Sequence, residues 1–313
     1  MISWRYHVVS LVAVVLAFGL GILAGTSVID EGFTQILQRN YDDAIQQRDA
    51  ALDQAAFYER FAQALQPTLR DDTLLGEEAI VVTVDGIDRL SQRTVEELTA
   101  AGADVLAMLE LSRTLADPRT DEDVAALAAI ADVPDLDPET IRIAVADALA
   151  GRLAEGAVDG QEDIFGALLS EGFVTADRDL DPEALLGIGG PGQVVVIAAG
   201  GRALPSDLPR PQSVLVPLTE QLVQLGVATA AVGPTEDAYG FVSAVRDANG
   251  IPDCSMVTVD DIELQIGGIT LAMALDRFLD DDDPTVRPGG DFGVGGDAII
   301  LPGAQDPPDS CLR

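Results

Sequence analysis

From residue 8 to residue 29 the chain carries no charged side chain, 22 positions in a row between His7 and Asp30. A helix rises 1.5 Å per residue, so the run spans about 33 Å, against a hydrocarbon core about 30 Å thick. A single N-terminal transmembrane helix over 8–29 is therefore expected. Secretory apolar segments are shorter, about 7–15 residues, and no A-x-A triplet follows, so the helix is expected to be retained, not cleaved. Arg5 precedes the run, and Asp30 and Glu31 follow it. Because positive charge is held back on the cytoplasmic side, 1–7 is expected to be a cytoplasmic tail. The rest of the chain is then extracytoplasmic, and the protein is a single-pass component of the cell membrane or envelope.

Within the apolar run, Ala13, Ala17, Gly21 and Gly25 recur every fourth residue. Four-residue spacing keeps them on one helix face, where small side chains let a second helix approach closely. Residues 31–66 contain no proline and one glycine, so a helical stalk is expected there, ended by Pro67. A coiled-coil seam can be drawn through Leu37, Tyr41, Ala44, Arg48, Ala51, Ala55, Tyr58, Ala62 and Leu65, with Arg48 breaking it. Stripe and seam together point to a parallel homodimer. The competing reading is a helix docked on its own globular domain.

Beyond residue 76 the pattern changes. Apolar runs at 79–86, 103–111, 193–201, 227–233 and 255–261 read as strands covered on both faces. Stretches at 87–102, 213–226, 238–250 and 264–280 read as helices, several with glycine stops. This βαβ rhythm predicts an α/β three-layer domain over 76–280 with a mostly parallel sheet. Residues 112–190 interrupt it as a helical insertion, with helices near 121–132, 138–155 and 161–172. Residues 281–313, rich in proline, glycine and acid, read as a flexible tail.

The opening, "MISWRYHVVSLVAVVLAFGLGILAG", resembles that of the actinobacterial MctB-type family, labelled copper transport outer membrane protein. Met1, Ile2, Ser3, Arg5, His7, Ser10, Leu11, Ala13, Val14, Leu16, Ala17, Gly21 and Gly25 fit the family's pattern, and a generic anchor would not fix Arg5 and His7. "VTVDDIELQIGGITLAMAL" resembles the family's last strand and helix, and Phe292-Gly293 stands where the family carries a tyrosine-glycine pair. The resemblance implies a coiled-coil segment after the anchor and a role in copper transport or copper homeostasis. It also makes available a second role, a scaffold or regulator of envelope assembly and cell division that binds an envelope protein not identified by the sequence. If copper is bound, the soft ligands suited to Cu(I) are Cys254, Met256 and Cys311, with Met108 and Met273 further off. The other reading of Cys254 is a structural or disulfide-bonded cysteine, and the sequence does not settle whether it meets Cys311.

The formal charge is -35, and all 18 basic residues are arginine. Such a surface repels phosphates and argues against nucleic acid as a partner. It is read first as adaptation to high salt. Without lysine there is no Walker A loop and no Schiff base, and "DFG" at 291–293 is a chance triplet. The sole histidine, His7, lies at the membrane edge, so a Ser-His-Asp site is not expected outside. "GIGGPG" at 187–192 precedes a strand where a dinucleotide loop would follow one. Asp177, Asp179, Asp181 and Glu183 alternate as in a calcium loop, but Pro182 stands where such a loop needs glycine. Asp85, Asp260 and Asp261 fall at carboxyl ends of strands, where α/β sheets bind ligands. They are the one candidate for acid–base chemistry in a chain expected to be non-enzymatic and without a cofactor.

Overall fold

The computed structural model describes residues 4–84, 88–134, 137–158, 163–177, 182–200, 212–236, 240–252, 254–280 and 289–293. Two compact units divide the chain, Met1–Arg60 and Phe61–Arg313. The first is helical, built from α1 (Trp4–Leu69). Within α1, Tyr6–Leu23 is long and apolar enough to cross a membrane, and its side chains are exposed. Pro67, expected to end the stalk helix, lies inside α1, which continues to Leu69. So close to the helix end the proline removes one ladder donor and ends the helix two residues later.

The second unit holds a mixed α/β domain. Its elements in order are β1 (Glu78–Val84), α2 (Asp88–Ala100), β2 (Asp104–Leu111), α3 (Arg113–Ala116), α4 (Asp121–Ile130), α5 (Pro138–Glu155), α6 (Ile164–Ser170) and β3 (Val174–Ala176). There follow α7 (Pro182–Gly187), β4 (Val194–Ala198), α8 (Gln212–Gln224), β5 (Ala228–Val232), α9 (Phe241–Arg246), β6 (Val257–Val259), α10 (Gln265–Leu279) and β7 (Gly290–Phe292). Among the described residues seven strands form one sheet in the order β3-β2-β1-β4-β5-β6-β7. Every pairing is parallel except β2 with β3, where Leu111 stands opposite Val174.

Burial explains the apolar runs. Every residue of β4 and β5 is buried, and β1 is buried from Ala79 onward, as a sheet covered on both faces requires. Each such valine contributes about 1.5–3 kcal/mol relative to exposure. From the centre, β1→β2 and β4→β5 step in opposite directions, so right-handed crossovers put α2 and α8 on opposite faces. Helix α10 packs with α2, and α5 and α9 pack with α8. The switch point of the sheet falls between β1 and β4, where Thr83 Oγ1 donates to the Ala198 carbonyl at 2.9 Å. The loops leaving those two strands, 85–87 and 201–211, lie outside the described residues, and Asp85 with them.

The segment 112–190 supplies helices at the expected places, α4, α5 and α6. Thr120 and Asp123 form a reciprocal capping box on α4. Asp137 caps α5, Pro138 opens it, and Gly156 at φ 79° ends it. The segment also returns a strand to the sheet as β3, which no alternating run predicts in three residues. Likewise Gly290–Phe292, inside the stretch read as tail, pairs with β6 as β7.

Candidate functional site

Strand β6 ends at Val259 and hands Asp260 and Asp261 to the carboxyl edge of the sheet. Asp260 is held by Arg246, whose Nη1 stands 2.7 Å from its Oδ2. Arg246 closes α9 and donates from Nε to Thr258 Oγ1 at 2.8 Å and from Nη2 to the Phe292 carbonyl at 2.9 Å. Thr258 Oγ1 donates onward to Asp291 Oδ1, also at 2.8 Å. One guanidinium thus ties α9 to both β6 and β7, and Asp260 is committed to it.

Asp261 is differently placed. Its carbonyl accepts the Leu264 N–H at 2.9 Å, turning the chain into α10. The residue is 2% exposed, and among the described residues its Oδ1 has no hydrogen-bond partner. Burial above all, then the charges of Asp260 and Glu263, push its pKa up to about 7, with Arg246 pulling the other way. Gly267 makes the arrangement fit, since a Cβ there would fall 2.8 Å from Asp261 Oδ1. The two carboxylates that sequence placed together therefore differ in state, one ion-paired and one sealed.

A second polar cluster carried no mark in the sequence. Glu97, on α2, is 2% exposed; its Oε2 accepts from Arg70 Nη1 at 2.9 Å and Gln66 Nε2 at 3.3 Å, and its Oε1 pairs with Arg93 Nη2 at 2.6 Å. Gly268 in the first turn of α10 leaves room for it, because a Cβ there would fall 2.8 Å from Glu97 Cγ. The Gly267-Gly268 pair is thus a packing device for two buried carboxylates.

The soft-ligand candidates do not come together. Cys254 is disulfide-bonded, at a left-handed φ of 62°. Met256 is 4% exposed in the apolar core, Met108 and Met273 are half-buried, and Cys311 lies outside the described residues. Among the described residues no three His, Cys, Asp or Glu side chains are grouped to hold a metal ion. Asp177 of the calcium-like run accepts the Met108 N–H at 3.0 Å; Asp179, Asp181 and the Glu183 side chain lie outside the described residues. In the "GIGGPG" loop, Gly189 at φ 80° lies against the Arg152 carbonyl and Leu153 Cα, a close approach of loop to helix. Arg152 itself donates to the carbonyls of Leu185 and Ile188 and to Asp163. On α1, Ala13, Ala17 and Gly21 are exposed, as is His7, and no heavy atom lies within 4 Å of a Cβ built at Gly21. The side chain of Arg5 and the surroundings of Gly25 lie outside the described residues.

The comparisons with known proteins extend over almost all of this chain. Proteins named "Copper transporter MctB" from Mycobacterium bovis and from two strains of Mycobacterium tuberculosis are 24% identical to it over 301 residues, covering 89% of this chain and 93% of theirs. The family described as "Copper transport outer membrane protein, MctB" matches residues 1–301. With the match reaching from the apolar helix to beyond β7, the chain belongs to the MctB family.

Proposed function

We propose that this chain is a membrane-anchored, non-enzymatic protein of the cell envelope that takes part in copper homeostasis. The family match over residues 1–301 carries the reading. Tyr6–Leu23 supplies the anchor, with Arg5 keeping residues 1–7 in the cytoplasm and the α/β domain outside. The absence of lysine and the position of the sole histidine favour a non-enzymatic domain.

A specific observation favours a second reading of how it serves that role. Cu(I) selects free thiolate and thioether groups, whereas Cys254 is in a disulfide and Met256 is in the core. One helix encloses no pore. On this reading the chain is a scaffold: a parallel dimer, packed through Ala13, Ala17, Gly21 and Gly25 and a coiled coil over 31–66, that holds an envelope protein partner and acts in envelope assembly and division. Deleting the chain from its host and measuring growth on copper tests both. Copper hypersensitivity restored by wild type but not by Cys254→Ser supports a copper ligand. Equal rescue by Cys254→Ser supports the scaffold, and unchanged copper tolerance on deletion overturns the copper role.

A further inference from the structure

Three features concentrate at the start of α10. Asp261 is buried with Oδ1 unpartnered. The N-cap position, Leu264, offers no side chain to the helix. Gly267 brings the helix backbone close against Asp261 on that side, since even a methyl group there would collide with its carbonyl. A buried carboxyl with one oxygen lacking a donor is more tolerable neutral than charged. Among the described residues, the charged groups acting on it are Asp260, its neighbour on the β6 exit, Glu263 in the turn, and Arg246 from α9. Two of the three are negative, and Arg246 is shared with Asp260, Asp291 and the Phe292 carbonyl. Glu263 Oε1 also accepts the Thr235 N–H at 2.9 Å, so the same turn is fastened to the exit of β5.

We propose that the junction of β6 with α10 is a pH-sensitive latch, closed while the Asp261 carboxyl holds its proton and loosened when the proton leaves. Charging Asp261 demands water or a donor for Oδ1, which has no hydrogen-bond partner in the closed junction. The relief available is to lift the first turn of α10 away from the carboxyl. That turn carries Gly268, against which Glu97 packs, so loosening there also frees the contact between α10 and α2.

The sign follows from the two proton affinities. In the open form Asp261 titrates near the ordinary 3.8, and in the closed form near 7. The closed form therefore binds more protons between about pH 4 and 7, and its advantage is lost as pH rises through that window. Below the window the latch is fully closed; above it the loss is complete and no longer grows.

Hydrogen exchange of the full chain in detergent micelles reads the latch directly. Protection factors for amides of 262–270 are expected to fall about tenfold per pH unit between pH 5 and 7, while those of β1 and β4 stay level. In Asp261→Asn, which keeps the shape of the neutral acid, the fall should vanish with protection held at its acid value. A second measurement needs no variant: the infrared band of a protonated carboxyl in the wild-type protein should persist at pH 6 and disappear by pH 8. Level protection in wild type, a fall that survives in Asp261→Asn, or absence of the band at pH 6 would each overturn the latch.

Discussion

At the scale of single residues, the fold gathers its charges on a few arginines. Arg246 is the sharpest case, because one guanidinium satisfies Asp260, Thr258, the Phe292 carbonyl and, at 3.4 Å, Asp291. Truncating it by Arg246→Met leaves Asp260 half-buried without its counter-ion, which is expected to cost about 2–3 kcal/mol. Asp291 is 54% exposed on its side chain, and solvent screens its share, so Asp291→Asn should cost less than about 1 kcal/mol. Urea unfolding of the full chain in micelles compares the two, and equal losses would show that Arg246 is not the tie. Glu97 is expected to be costlier still. Glu97→Ala strands Arg93 and leaves Arg70 only its pairing with Asp71, a loss of about 3 kcal/mol, and Glu97→Gln, which keeps the shape but not the charge, should cost less. None of these partnerships was visible in the sequence: among 53 acids and 18 arginines, spacing does not say which pair closes. What was visible is that Asp260 and Asp261 end a strand, and that two glycines open the next helix.

At the scale of elements, legibility followed length and apolarity. The cores of β1, β2, β4 and β5 are runs of five or more residues dominated by valine, alanine and leucine, and each lies within a run read as strand. Helices α4 and α5 fall within the stretches read as helix, and the structure shows what starts them: the Thr120–Asp123 capping box, and Asp137 with Pro138. Strands β3 and β7 are three residues long, and Gly-Asp-Phe has no β signal of its own. Strand β7 exists because Gly289 and Gly290 donate to the carbonyls of Cys254 and Met256, both at 2.9 Å, and because Arg246 holds Phe292. Tertiary pairing of that kind leaves no local periodicity. The loop of 187–192 separates two uses of glycine. Gly189, at φ 80°, would place a Cβ 2.7 Å from the Arg152 carbonyl, so Gly189→Ala adds a collision to backbone strain and should cost about 2–4 kcal/mol. Gly192, at φ 91°, meets nothing within 4 Å, so Gly192→Ala should cost only the strain, about 1–2 kcal/mol. Similar losses at the two positions would mean that the loop does not pack on α5 as drawn.

At the scale of the whole molecule, a charge of -35 on 313 residues sets the balance between compaction and self-repulsion. The pairs around Arg246, Glu97 and Arg152 are partly or fully buried, where added salt screens little. Among the described residues most carboxylates are exposed, where repulsion is screened within about 10 Å at 0.1 M salt and about 3 Å at 1 M. Salt should therefore weaken what opposes folding more than what supports it, and the sign of its effect is stabilising. For a domain of this size each 1 kcal/mol gained moves the midpoint by about 2–4 °C. Thermal unfolding of the full chain in micelles is expected to shift upward by several degrees from 0.05 to 1 M NaCl, with most of the gain below about 0.3 M as the screening length contracts fastest there. A gain confined to sulfate and absent with chloride would instead report stronger apolar burial. A falling midpoint in NaCl would mean that surface ion pairs, not repulsion, dominate this acidic surface.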